Sequence, residues 1–276
     1  MKVEQAKQIA NKAIEELAAA LNANPSEALT SYLKTVAKFH KYSFHNILLI
    51  AMACPQATHV AGFHTWRTLG RHIKKGAKGI RIFAPVFRRR AEQTDTQTNE
   101  ELLSTRASLV VGFRAVYVFD ESMTEGKPLA ELNSVHGDPS DYRERLERFI
   151  QEQGIALEYS TDIAPARGTS HGGKIAILPG QSPAETVETL AHEIAHELMH
   201  RGDRRTSTTK RQRETEAEAV AYVVANAIGL QATSASADYI TLWNGDAALL
   251  AQSLEIIQRT AAQIITVTSE GPAPPK

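Results

Sequence analysis

Thr189-Leu190-Ala191-His192-Glu193-Ile194-Ala195-His196-Glu197-Leu198 decides how this chain is to be read. Its apolar residues Leu190, Ala191, Ile194, Ala195 and Leu198 recur at three- and four-residue spacing, the period of a helix with one buried stripe. On such a helix His192 and His196, four residues apart, project from one face and can share a metal. This is the HExxH arrangement. Neutral imidazoles hold Zn²⁺ at about 2.0–2.1 Å, and a carboxylate on the intervening Glu193 stands beside the open coordination position. Zinc lowers the pKa of a water bound there to about 7, so Glu193 is the candidate catalytic base that takes its proton and passes it to a leaving amine.

A catalytic site needs a third protein ligand. His200 continues the same face, but the rise from His192 to His200 is about 12 Å, too long for both rings to reach one ion while His196 also binds it. A second helix, Arg213 to Val224, must supply the ligand. At about 100° per residue, Glu214 and Glu218 fall about 40° apart, close to the face of Ala217, Ala221, Ala225 and Ile228, while Glu216 points about 160° away from both. Glu214 is taken as the metal ligand and Glu218 as the acid that bonds the outer ring nitrogen of a ligating histidine, with Glu218 the alternative ligand. Lys174 to Leu178 fits an edge strand that pairs with an extended peptide over the metal, or an ordinary core strand. Tyr159, His171 and Tyr222 are the candidates for stabilising an oxyanion, and the sequence does not choose among them.

Outward from this motif, three-to-four-residue periodicity predicts helices near 3 to 21, from a Ser26 cap towards Phe39, from a Ser43 cap to before Pro55, and near 140 to 153, 183 to 200, 211 to 229 and 246 to 264. Arg81 to Val86 and Ala107 to Asp120 are rich in β-branched and aromatic residues and read as strands, as does 155 to 159. Ala91 to Arg106 between them is polar and turn-prone, an excursion between paired strands. Asp120 to Pro139 has the Gly, Pro and Ser content of a connector. The expected layout is α+β in two domains: an N-terminal α/β domain over 1–120, a linker over 121–138, a second domain over 139–265 with a short sheet and the HExxH helix, and a Pro-rich disordered tail over 266–276.

The chain has 276 residues, 42% hydrophobic and 22% charged, near the average of globular proteins, which excludes a collagenous, fibrous or wholly disordered class. Its single cysteine, Cys54, excludes an internal disulfide framework. No run of eighteen apolar residues exists, and the first twenty-odd carry Lys2, Glu4, Lys7, Lys12, Glu15 and Glu16 rather than a basic end and an apolar block. The expectation is a cytoplasmic monomer with neither signal peptide nor membrane span.

A net charge of zero hides a strong asymmetry. From Ala28 to Ala91 there are twelve basic residues and no acid, so the remainder carries 19 basic against 31 acidic residues. A polyanion is the expected partner of such a stretch. Within it, Trp66, Arg67, Arg71, Lys74, Lys75, Lys78 and Arg81 surround Gly70, Gly76 and Gly79, and Tyr42, Phe44, His45 and Asn46 add rings and an amide. Glycines let backbone approach phosphates, and flat side chains stack on unpaired bases. With no helix-turn-helix, zinc-finger or basic-zipper pattern, these eleven residues are candidates for binding single-stranded DNA by charge and stacking.

At His192, Glu193, His196 and the downstream glutamates the chain resembles the HExxH-plus-Glu, gluzincin-type metallopeptidases. Its N-terminal half resembles the N-terminal domain of ArdC-type antirestriction proteins of conjugative plasmids, through Tyr42-Ser43-Phe44-His45-Asn46-Ile47-Leu48-Leu49, Gly62-Phe63-His64-Thr65-Trp66-Arg67, Gly70 to Ile80, and Gly112-Phe113 through Val118-Phe119-Asp120. In place of that family's usual acidic residue in the basic loop stands Ala77. The resemblance implies a single-stranded DNA binding domain followed by a zincin-like metallopeptidase domain. The function expected is a single-stranded DNA-binding zinc metalloendopeptidase acting on DNA-associated or crosslinked proteins, of antirestriction type. The alternatives are a non-proteolytic strand-coating antirestriction protein whose metal is structural, and a protease that cuts a repressor. An intact His192, Glu193 and His196 set favours peptidase chemistry, because a structural zinc site usually takes four protein ligands and has no use for the glutamate.

Overall fold

The computed structural model describes residues 3–23, 25–88, 109–128, 139–230 and 246–269. The chain opens with three helices, α1 (Val3–Ala23), α2 (Pro25–Phe39) and α3 (Phe44–Ala53). α2 starts at Pro25, whose fixed φ suits a first helical turn, so Ser26 lies inside the helix rather than capping it. Leu33, Val36, Ile47 and Ile50 of α2 and α3 are completely buried. Next come β1 (Val60–Gly62), α4 (Phe63–Thr68), β2 (Arg71–Ile73), β3 (Ile80–Arg88) and β4 (Leu109–Asp120). β4 is the centre of an antiparallel sheet in the order β1-β4-β3, with Arg81 opposite Tyr117 and a bulge between Val86 and Phe87. Ala91 to Arg106 lies outside the described residues.

Ordered structure runs past Asp120 into the stretch expected as a linker. After a 3-10 turn at Glu121–Met123, β5 (Thr124–Gly126) pairs antiparallel with β2. The rest of that stretch, 129 to 138, lies outside the described residues.

The second half holds α5 (Pro139–Glu152), β6 (Ala156–Tyr159), β7 (Gly168–Ser170), β8 (Lys174–Ile177), α6 (Pro183–Met199), α7 (Asp203–Ser207), α8 (Lys210–Ala227) and α9 (Ala247–Ser269). Its sheet order is β6-β8-β7, β8 running parallel to β6 and antiparallel to β7. Lys174 to Ile177 is thus the central strand, and the edge-strand reading of that segment is corrected: β6 and the three-residue β7 form the two edges. α9 continues to Ser269, four residues into the stretch expected as tail, and residues 270 to 276 lie outside the described residues.

The two halves share one apolar interior. α8 packs on α2, and α9 packs on α5, α6 and α8 but also on α1 and α3. Leu33, Val36 and Ile47 belong to the same buried cluster as Leu190, Ile194, Val223, Ile257 and Ile264. Gln258 Nε2 of α9 donates to the His40 and Tyr42 carbonyls at 3.2 and 3.1 Å. Among the described residues, no helix is long and apolar enough to cross a membrane.

Candidate metal centre and nucleic-acid interface

α6 starts at a reciprocal cap. Ser182 Oγ accepts from Glu185 N–H at 3.3 Å, Glu185 Oε2 accepts from Ser182 N–H at 3.0 Å, and Pro183 takes the first helical position. Val187, Leu190, Ala191, Ile194 and Ala195 bury one side of the helix. The other side carries His192 and His196, whose Nε2 atoms converge to 3.0 Å. Glu214, in the second turn of α8, places Oε2 3.5 Å from each. Two imidazole nitrogens and a carboxylate oxygen at such separations are the donor set of a single dication held at about 2 Å by each. Among the described residues, His192, His196 and Glu214 are the group of three with metal-ligand geometry. Contact with His192 and then His196 holds the Glu214 carboxyl well below the usual carboxylate range.

Glu193 is 5% exposed. Burial pushes its carboxyl up to about 7, with Glu214 and Glu197 adding to the rise and His192 opposing it. Edge strand β7 closes over it: a Cβ on Gly168 would stand 2.6 Å from Thr189 Cγ2 and 2.7 Å from Glu193 Oε1, so only glycine permits this approach. Glu197, one turn on, accepts from Ser170 Oγ at 2.6 Å and from the Gly172 and Gly173 N–H groups at 2.8 Å each, and Arg201 donates to it at 3.0 Å. Burial works against its charge, but these donors prevail and keep it ionised below the ordinary range. Glu197 therefore ties the β7–β8 turn to the helix that carries the histidines.

The polar groups behind the histidines differ from those expected. His200 is 2% exposed; its Nδ1 lies 3.0 Å from His196 Nδ1, and its Nε2 lies 2.9 Å from Glu216 Oε2. Glu216 is fully buried and also accepts from Arg204 Nη2 at 2.6 and 2.7 Å and from Ser253 Oγ at 2.7 Å. Burial opposes its charge, yet His200, Ser253 and Arg204 together hold it ionised, while burial keeps His200 below its ordinary value and neutral. The proton order follows. His200 Nε2–H donates to Glu216, which leaves His200 Nδ1 to accept from His196 Nδ1–H, which in turn leaves the His196 Nε2 lone pair facing the donor cluster.

Glu218, expected beside an outer ring nitrogen, is exposed, and at His196 that place is filled by His200. The spacing argument related the glutamates to one another correctly, and the face of Ala217, Ala221, Ala225 and Ile228 is buried as expected, but α8 is packed on more of its circumference than one face. Burial extends through Glu216, Val220 and Val224 as well, which puts Glu216 inside, while Glu214 is half-buried and Glu218, about 40° further round, is exposed. A glutamate inside the apolar period of α8 was the signal for Glu216. Of the oxyanion candidates, Tyr159 donates to Glu147 Oε1 at 2.5 Å, its phenol pushed up to about 12 by burial and by that carboxylate. Tyr222 is buried two turns beyond Glu214, and His171 is exposed in the β7–β8 turn.

The basic half sorts into two sets. Trp66 is 1% exposed and donates Nε1–H to the Phe119 carbonyl at 2.8 Å. Arg71 is buried, donates to Thr124 Oγ1 at 2.8 Å and the Lys127 carbonyl at 2.5 Å, and places its guanidinium 5.9 Å from the Trp66 ring centre. Asn46 bridges the Phe83 backbone in both directions at 2.8 and 2.9 Å, and Phe44 is in the core. Tyr42 is half-buried and donates to the Val60 carbonyl, and half-buried His45 packs edge-on to Phe44. The expectation that Trp66, Phe44, Asn46 and Arg71 face a nucleic acid is corrected: they hold α3, α4 and β2 to the sheets. Arg67, Lys74, Lys75, Lys78 and Arg81 are exposed, Lys74 Nζ donating to the Ser122 carbonyl at 2.8 Å.

Residues 3–119 match the N-terminal domain of anti-restriction factor ArdC, and residues 155–253 match the IrrE N-terminal-like domain, a family that carries a peptidase name. The chain joins an ArdC-type N-terminal domain to an IrrE-like domain. The ArdC-type part spans α1 to β4, and the IrrE-like part holds every residue of the donor cluster together with His200, Glu216 and Ser253. Two crystal structures of the antirestriction ArdC protein from R388 plasmid share this fold. The Mn(II)-bound one matches with a TM-score of 0.54 at 18% identity, over 94% of this chain and 98% of that one. The metal-free one matches with a TM-score of 0.50 at 19% identity, over 82% and 84%. An uncharacterised protein of Bacillus anthracis is 23% identical over 87% of this chain, which spans 46% of that relative's length.

Proposed function

We propose that this chain is a single-strand-binding metallopeptidase of antirestriction type, acting on proteins associated with DNA in the cytoplasm. The observation that carries the reading is the convergence of His192 Nε2, His196 Nε2 and Glu214 Oε2 beside the buried carboxyl of Glu193. Two imidazoles and one carboxylate fit Zn²⁺ well, with a coordination position left for water, and the Mn(II)-bound ArdC relative supports a divalent metal in this fold. When bound, such an ion lowers the pKa of a coordinated water to about 7 and polarises a peptide carbonyl.

The chain's own residues supply the rest. Glu193 accepts the attacking water's proton and returns it to the departing amine nitrogen. The outer edge of β7 pairs with an extended peptide, and Gly168 brings that edge against Glu193. His200 and Glu216 fix the His196 ring so that its lone pair is presented without rearrangement. The ArdC-type domain binds single-stranded DNA through its exposed cations, which raises the local concentration of proteins on that strand. On this reading, residues 1–120 form the strand-binding domain and 139–265 the peptidase domain.

Incubating the zinc-loaded protein with a DNA-binding substrate protein, with no DNA, single-stranded DNA or duplex, tests the proposal. Glu193→Gln is expected to lower cleavage by about 10²–10⁴-fold while sparing metal and strand binding. No cleavage by the wild type under any condition, with strand binding intact, would replace the peptidase by the strand-coating reading.

A further inference from the structure

Three of the large hydrophobic side chains that the described residues expose lie on one strand. Phe113 and Tyr117 share a face of β4 and are 38 and 57% exposed, and Val111, 54% exposed, stands at the bulge. Opposite them on β3, Arg81 pairs with Tyr117 and Pro85 with Phe113, and both are exposed. The reverse face is core at the end where Ile80, Ile82 and Val118 are buried and opens to solvent towards Val86 and Arg114, while Phe83, between Arg81 and Pro85, is buried. An antiparallel sheet with one face in the core normally turns polar residues to water on the other. Here that outer face presents two rings and a proline, an apolar patch that marks an interaction surface.

The patch adjoins the basic turn. Gly79 lies so close to the sheet that a Cβ on it would stand 2.9 Å from Phe119 Cζ and 3.1 Å from Tyr117 Cβ. This approach seats the Lys74–Gly79 turn, with exposed Lys75 and Lys78, at the side of Tyr117. No acid occurs between Ala28 and Ala91. Of the two acids that end the sheet, Asp120 is buried and Glu121 is paired with His59 at 3.1 Å. Exposed rings beside exposed cations complement a strand whose bases are unpaired; a duplex keeps its bases stacked and offers these rings nothing.

We propose that Tyr117 and Phe113 are the base-stacking platform of the ArdC-type domain, with Arg81, Lys75 and Lys78 holding the phosphates of a single-stranded nucleic acid across the outer face of β3 and β4. The inference rests on the strand-binding reading above and gives it a location. The rings lie about 13 Å apart along β4, far enough to stack on separate bases. The stacking is indifferent to base identity because every base has a flat face.

Fluorescence anisotropy of a labelled oligo-dT titrated with the full chain over a series of NaCl concentrations tests it. Tyr117→Ala and Phe113→Ala are each expected to weaken binding about fivefold or more, with the slope of log affinity against log salt unchanged. Tyr117→Phe is expected to bind like the wild type. Lys75→Ala with Lys78→Ala is expected to make the slope shallower by about 0.7 for each phosphate that the variant no longer neutralises. Both rings are exposed, so thermal melting should not move. Wild-type binding that both ring variants retain in full overturns the platform and leaves strand binding standing. A wild type that fails to bind oligo-dT at low salt overturns the strand-binding reading, and the platform with it. Ring variants that keep oligo-dT affinity but turn a dimer into a monomer in sedimentation velocity make the face a self-association surface, and the platform is again overturned.

Discussion

The donor cluster and the basic half of this molecule are built on opposite plans. At the donor cluster, His196, His200, Glu216, Arg204 and Ser253 form an unbroken chain of hydrogen bonds centred on the buried His200, Glu216 and Ser253. On the basic half, the buried polar side chains, Arg71, Asn46 and Asp120, bond to the protein's own backbone and hydroxyls, and the cations left for a partner stand in water. The ligands proposed for the two places account for the contrast. A dication needs donor atoms placed to within a fraction of an ångström, which only locked side chains achieve. A polyanion is held by a field and by flat surfaces, which tolerate side-chain motion.

The comparison breaks most visibly at Trp66. If that ring is scaffold, Trp66→Ala costs about 3–5 kcal/mol of stability, seen as a large fall in Tm, while the molecules that remain folded keep their oligo-dT affinity. An unchanged Tm with lost strand binding would return Trp66 to the interface. Next in size is Glu216→Ala, which takes away the anchor of the His200–His196 chain. Metal affinity, measured by chelator competition, should fall about 10–100-fold, and Glu216→Gln should recover part of it. Equal affinity in all three proteins would show that the buried chain serves the fold alone.

The smallest effect belongs to Asp120. Burial disfavours its charge, but bonds from Ser122, Thr58 and His59 hold its carboxyl below the ordinary 3.8. A depressed folded-state value contributes stability that is present above the ordinary value and is lost as pH falls through the folded one. Asp120→Asn should therefore lower Tm at neutral pH and flatten its decline below about pH 4. A parallel decline in both proteins would remove Asp120 from the acid response.

What the sequence made legible was local in origin. The positions of α5, α6, α8 and β6, and the pairing of His192 with His196, follow from spacings within single helices and strands; that Glu214 rather than Glu218 joins them depends on how α8 lies against α6. The features it hid depend on what packs against what. β7 is Gly-Thr-Ser, too short to show a period, and without it Lys174 to Ile177 could not be placed at the centre of its sheet. The relation among Glu214, Glu216 and Glu218 was readable from helical angle, but only the packing of α2, α6 and α9 around α8 decides which of them is buried. Trp66 and Arg71 carry the composition of a nucleic-acid site, and only Phe119 and Thr124, more than fifty residues away in sequence, reveal them as scaffold.

α9 gives the molecule a fixed gauge. This helix bonds through Gln258 to the turn that leads into α3 and through Ser253 to the glutamate beneath the histidines, so among the described residues it ties the ArdC-type half directly to the donor cluster, and on the proposed function strand binding and cleavage would share one rigid frame. Two modules on a slack tether would search every surface within reach of the strand. Two faces of one solid can meet only those peptide bonds that a bound protein presents at the matching height and bearing, so selectivity would come from architecture rather than from the chemistry of any side-chain pocket.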